Sequence, residues 1–315
     1  MHELTRQVVL AIAYSGQFDF PITSSEIWLR IDCSRLGRQL PGKSRVLFLE
    51  VLRVLKQLAA DGVVKRVGKY WVLAGGARQV SLRVRRALIT QSKLAELRPL
   101  LTICSILPCV DGLVVTGSAA VNNASDEHDV DLLVITKSHT LWLVRPFLLF
   151  IALLFGKRRS WNHEEPNSWC FNLWLDESDL EINHTMRTRY LAYESLQTRW
   201  LVARGDIKQR FFTANTWICH IFPRWFALAA AQQADRQLWS WDWLIFAARP
   251  VVMPLHILAY VAQRWYMKTH QTREKVSYTA AFFHPRDTRG MIMDGWRRQL
   301  RSLGVGQDVV DRGGL

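Results

Sequence analysis

Cysteine is sparse here and scattered. The five, Cys33, Cys104, Cys109, Cys170 and Cys219, are odd in number and none pairs at C-x-x-C spacing. That excludes a disulfide framework and the common zinc clusters, and it predicts a cytoplasmic, reducing setting in which each is a small buried hydrophobe. Acidic residues are also few: 27 Asp and Glu against 41 Lys and Arg leave a formal charge of +14. Such an excess calls for an anionic partner, with nucleic acid, nucleotide and an anionic membrane surface all open. Internal repeats and low-complexity segments are missing. A signal peptide is not expected, because the apolar run from Val8 to Ala13 is too short and Glu3 stands where positive charge belongs.

Long uninterrupted hydrophobic runs are missing too. The stretch 141–155 carries Arg145 and Pro146, and 243–265 carries Arg249, Pro250, Pro254, His256, Gln263 and Arg264. A spanning helix wants roughly twenty mostly apolar residues, and a mid-helix Arg costs about 3 kcal/mol to insert. Both stretches are therefore expected to be buried helices. The alternative is a peripheral, membrane-associated surface, which fourteen tryptophans among many arginines would suit.

What is present is a chain that can hold two domains, half of it hydrophobic. Residues 1–78 read as a small module. Leu4, Val8 and Ile12 have helical spacing, Thr23 or Ser24 caps a second helix, and 45–60 makes a third with Leu49, Leu52, Leu55 and Leu58 inward. Val63 to Val67, Gly68-Lys69, and Tyr70 to Leu73 then make a hairpin. Three helices and a hairpin predict a winged-helix-like module, with Arg45, Arg53, Lys56, Lys65, Arg66 and Lys69 available to DNA, although its third helix exposes few residues that read base edges and such modules also serve as protein-docking units. Residues 79–101 read as one basic linking helix with a solvated face, 102–185 as an α+β core, and 186–315 as a helical, Trp-rich C-terminal region. The stretch 158–168 reads as loop, and 304–315 as a frayed tail.

The core carries the chemistry. Val114-Val115-Thr116 ends in Gly117-Ser118, a small-residue helix start follows, and Asp129-Val130-Asp131 opens the strand Leu132 to Ile135. Alternation along a strand puts Asp129 and Asp131 on one face. Two adjacent carboxylates need a cation between them, and Mg²⁺, which completes its shell with water and phosphate oxygens, suits that place. Gly117 lets backbone approach a phosphate, and a helix N-terminus behind it would favour the anion.

This Gly-Ser, spacer, Asp-x-Asp order resembles the nucleotidyltransferase superfamily, the fold shared by polymerase beta, poly(A) polymerases and small bacterial nucleotidyltransferases. The flanks are similar to a bacterial family of nucleotidyltransferase-domain proteins with an N-terminal winged-helix-like region. The matching segments are Phe18 to Thr23 with Glu26-Ile27-Trp28, Gly68 to Leu73 with Gly75, Trp142 and Arg145, Phe171-Asn172-Leu173, Asn215-Thr216-Trp217, and Phe283-His284-Pro285 with Asp287. The resemblance implies an NTP with its phosphates on Gly117 and Ser118. It also implies Mg²⁺ on Asp129 and Asp131, and transfer of a nucleoside monophosphate to a hydroxyl acceptor.

Two positions depart from the family pattern. A third carboxylate belongs on the strand Cys170 to Leu175, where Asn172 stands; the nearest acids are Asp176 and Glu177, with Glu194 on the next helix. Asn offers a carbonyl oxygen without charge, so a non-catalytic relic that binds nucleotide and nucleic acid is one rival reading, and a peripheral membrane enzyme acting on an envelope or lipid-linked precursor is the other. His128, beside Asp129, is a candidate for phosphate contact, although a solvent-exposed loop residue is the plainer reading. The cluster His284 to Asp287 reads as a helix cap before the helix expected from Met291 to Leu300.

Overall fold

The computed structural model describes residues 3–36, 46–73, 78–158, 166–268, 275–283 and 288–302. Gly75, Arg45, His284 to Asp287, the tail from 304 and most of the 158–168 loop lie outside them.

The chain opens with α1 (Glu3–Gly16), β1 (Ile22–Thr23), α2 (Ser24–Leu29), α3 (Cys33–Leu36), α4 (Phe48–Ala60), β2 (Val64–Val67) and β3 (Tyr70–Leu73). Thr23 caps α2: its hydroxyl accepts from the Glu26 amide while the Glu26 carboxylate takes the Thr23 amide, a reciprocal box. Gly68 turns the β2–β3 hairpin at φ +60°, and β1 joins β3 to complete a three-stranded sheet. The inward side of α4 is Val51, Leu55 and Leu58, whereas Leu49 is exposed. The expected Leu49 face is wrong because the buried stripe runs i, i+4, i+7 from Val51, and Leu49, two residues earlier, lies about 200° round the helix from it.

Next come α5 (Arg78–Ala95), α6 (Arg98–Ile106), β4 (Val110–Val115), α7 (Gly117–Ala120), β5 (Val130–Thr136), α8 (Leu141–Leu154) and β6 (Trp169–Asp176). The expected single linking helix is thus two, broken before Pro99, which sits in the first turn of α6. Its basic face is not simply solvated. Arg83 pairs with Glu26 at 2.7 Å, Arg86 bonds the Phe18 carbonyl, and Lys93 is buried.

The remainder holds α9 (Arg189–Gln197), β7 (Arg199–Arg204), α10 (Ile207–Ala214), α11 (Trp217–Ile221), α12 (Pro223–Ala231), β8 (Arg236–Leu238), α13 (Asp242–Met267), β9 (Lys275–Val276), β10 (Ala280–Phe282) and α14 (Thr288–Ser302). The region expected to be helical therefore supplies four strands. They complete a seven-stranded mixed sheet in the order β8-β7-β4-β5-β6-β10-β9, with β5–β6 and β7–β8 parallel and the other pairs antiparallel. The fold is α+β.

Alternation along β5 divides the interior. Leu133 and Ile135 join a core with α1, α4, α9, α10 and α14, while Val130, Leu132 and Val134 join a second core with α6 and α8. The first core is continuous from the N-terminal helices to the last one: Tyr14 stacks on Tyr193 at 4.2 Å and meets Trp296 edge-on at 5.0 Å. Covered from both ends of the chain, α1 is buried on every side.

The two apolar stretches do not take the buried places expected of them. Only the inner faces of α8 and α13 are covered. Among the described residues α13 is the helix long and apolar enough to cross a membrane, and 6% of its most apolar stretch is buried.

Candidate active site

The site forms where β4 ends and β5 begins. The Thr116 amide donates to the Asp131 carbonyl at 3.0 Å, locking the Gly-Ser turn beside the acidic strand start. Gly117 then takes φ +61°, and a Cβ built there would lie 2.6 Å from Asp131 Oδ2. Only glycine tolerates both the backbone and the contact, so the turn and the carboxylate are fitted to one another. Ser118 is partly exposed on α7. That helix is a single turn of four residues, too short for the dipole that the sequence led us to expect; the anion-binding groups left are the backbone amides and the Ser118 hydroxyl.

The paired acids come together as the alternation requires. Asp129, Asp131 and Cys170 offer ligand atoms that all lie within 4.8 Å of one another. Cys170 is the residue sequence reasoning missed as a site member: an apolar strand gives a cysteine no outward signal, and only the pairing of Asp131 with Cys170 in parallel register reveals it. Next to it, a shift in the β5–β6 register brings Asn172 to the same place. Its Nδ2 donates to Asp131 Oδ1 at 2.6 Å, and its buried Oδ1 has no hydrogen-bond partner among the described residues.

This donor set fits a small divalent cation. Two hard carboxylates suit Mg²⁺ together with water and phosphate oxygens, and the Asn172 carbonyl, with the amide turned over, would add a neutral oxygen. The thiol of Cys170 is soft and adds little for Mg²⁺.

The loop ahead of Asp129 is tied down by α5. Arg86 Nη1 donates to Asn123 Oδ1 at 3.2 Å, the Ala124 amide donates to Thr90 Oγ1 at 3.1 Å, and Lys93 Nζ donates to the carbonyls of Asp126, at 3.2 Å, and His128. Burial pulls the Lys93 ammonium down, while Asp126, Glu96 and Asp129 oppose the shift. The His128 side chain is exposed, and its carbonyl is what the structure uses.

The other sequence candidates lie elsewhere. Asp176 pairs with Thr136 at the far end of β5, five residues from Asp131 and so about 16 Å along the strand. It is buried and accepts from Ser138, His139 and Ser178, which makes it a structural anchor and not a third ligand. Glu177 belongs to a cavity of about 420 Å³ at that same end, where it pairs with Lys137 at 3.5 Å and Arg210 at 2.6 Å, beside Asp111 and Asp242. Burial pushes the Asp111 carboxyl up to about 7 against the pull of Lys137. Glu194 accepts from Tyr14 Oη at 3.4 Å, and burial raises it to about 7.

No protein-family model, curated protein or solved structure matches this chain.

Proposed function

We propose that this chain is a Mg²⁺-dependent nucleotidyltransferase that moves a nucleoside monophosphate from an NTP to a hydroxyl acceptor. One observation carries the reading: Asp131 lies against the bare Cα of Gly117 with Asp129 beside it, which is the juxtaposition of phosphate turn and paired acids that such chemistry requires. On this reading 102–185 is a polymerase beta-like core, its sheet extended by later strands, and the N-terminal helices and hairpin are a winged-helix-like module.

Bound Mg²⁺ would supply charge neutralisation on the phosphates. Asp129 and Asp131 hold it. Gly117 and the Ser118 hydroxyl take phosphate oxygens, and α5 fixes the loop that aims Asp129.

The test is transfer from α-labelled NTP with Mg²⁺ to RNA, protein and small hydroxyl acceptors. Label transfer is expected, and is expected to vanish in the double variant Asp129→Ala, Asp131→Ala. Transfer that survives the double variant would sink the assignment.

Asn172 favours a second reading, a nucleotide-binding protein without turnover, because no carboxylate stands beside Asp131 on β6. Calorimetry separates the two: nucleotide binding with no pyrophosphate released over any acceptor favours this one.

A further inference from the structure

On α13 the ordinary arrangement of a surface helix is reversed. Two of its polar side chains turn inward: His256 Nδ1 meets Tyr278 Oη at 2.9 Å, and Gln263 bonds the Trp142 carbonyl at 2.6 Å and Arg145 at 2.9 Å. Its large apolar side chains turn outward. Trp243 is 67% exposed, Phe246 73%, Leu258 67% and Trp265 79%. The end of α8 adds Phe150 and Leu154. At roughly 200 Å² per aromatic side chain, the outward aromatics of α13 alone expose on the order of 400 Å², already comparable to the largest patch on an ordinary monomer. Water is a poor medium for that face.

Two observations say what covers it. The first is charge. Within α8 and α13 the sole acid is Asp242, which is paired with Lys137. Basic groups stand along and beyond them: Arg249 and Arg264 on α13, Lys268 just past its end, and Arg158 after α8, where Lys157 is paired with Glu96. A second copy of this chain would set these rims against their like, a repulsive match; an anionic surface complements them. The second is the aromatic distribution. Trp239, Trp241 and Trp243 gather at one end of the helix and Trp265 and Tyr266 at the other, and these are residues that settle at the headgroup level. The inner stripe of α13 packs on the body through Met267, in the core beneath α8, so the helix lies along the protein and cannot stand across a bilayer without drawing the sheet in.

We infer that the outer face of α8 and α13 is a monotopic membrane-binding surface, lying in the plane of a bilayer rich in anionic lipid. The inference stands apart from the nucleotidyltransfer reading: the acids face the other core, on the side of Leu133 and Ile135.

The full chain is mixed with vesicles of phosphatidylcholine alone and of phosphatidylcholine with phosphatidylglycerol, and flotation is followed with tryptophan emission. Flotation with the anionic vesicles at low salt, a blue shift, and quenching by acyl-brominated lipid are expected. The outward variant Phe246→Ser with Trp265→Ser should lower the partition coefficient at least about tenfold while its thermal unfolding stays unchanged. Arg264→Glu with Lys268→Glu should remove the preference for anionic lipid. The proposal is overturned by a monomer that floats with neither vesicle. It is also overturned by equal flotation with both. A dimer in light scattering that Phe246→Ser with Trp265→Ser dissociates, with no flotation, would instead assign the face to a second copy.

Discussion

Asn172 is where the chemistry turns on one atom. Its amide donates 2.6 Å to Asp131 Oδ1, a neutral partner for a half-buried carboxylate that has a second acid, Asp129, beside it. Replacing it with aspartate exchanges a donor for a third negative charge, so carboxylate faces carboxylate. In metal-free buffer Asn172→Asp should lose about 2 kcal/mol of stability. With Mg²⁺ the added ligand should turn that loss into a larger stabilisation than the parent shows, since ligand binding to the folded state raises stability by mass action. Thermal unfolding with and without Mg²⁺ reads both effects. A variant that Mg²⁺ stabilises no more than the parent would place Asn172 outside the cation's shell. Raised label transfer in the same variant would mark it as a lost catalytic acid.

At the scale of elements, legibility followed length and periodicity. The Thr23 cap, the Gly68 hairpin and the strands around Gly117 and Asp131 were readable, because each rests on local chemistry: a side-chain acceptor, a positive φ, an apolar run between turns. β7 was not readable, because Trp200 to Ala203 is a short apolar run inside a helical stretch, where periodicity alone cannot separate strand from helix. The facing of α13 was hidden for another reason. Its apolar spacing is that of any amphipathic helix, and only contacts reveal that the polar stripe is the inner one. The charges of α5 predict a solvated basic face, yet its side chains do the positioning around the acids. Lys93 holds two carbonyls of the loop that leads into Asp129. Lys93→Met keeps most of the volume and strands both acceptors, so it should cost about 1–3 kcal/mol in unfolding free energy. It should also weaken Mg²⁺ binding in calorimetry through the loosened loop. Lost stability with unchanged Mg²⁺ affinity would show that the loop does not aim Asp129.

Across the whole molecule, the first and last helices share one core through Tyr14, Tyr193 and Trp296, and the half-buried Glu194 meets Tyr14 at that junction. Its carboxyl is raised from 4.5 to about 7, by burial first and in spite of the Tyr14 hydroxyl. The folded state therefore holds a proton that the unfolded chain gives up. That contribution is complete below pH 4.5 and is lost as pH rises through about 7. Asp111 adds a slope of the same sign, and His256, lowered by burial from 6.5 to about 4, adds the opposite slope between those values. The difference between two proteins isolates Glu194. Glu194→Gln keeps the shape and cannot ionise, so it should match the parent near pH 4 and exceed it above pH 7, by at most about 3 kcal/mol. Urea unfolding across that range, followed at the tryptophans of both ends, measures the gap. The joined core also requires the two ends to unfold at one midpoint in parent and variant alike. A gap that stays flat with pH would mean that Glu194 reaches solvent and that the seam between α1, α9 and α14 is open.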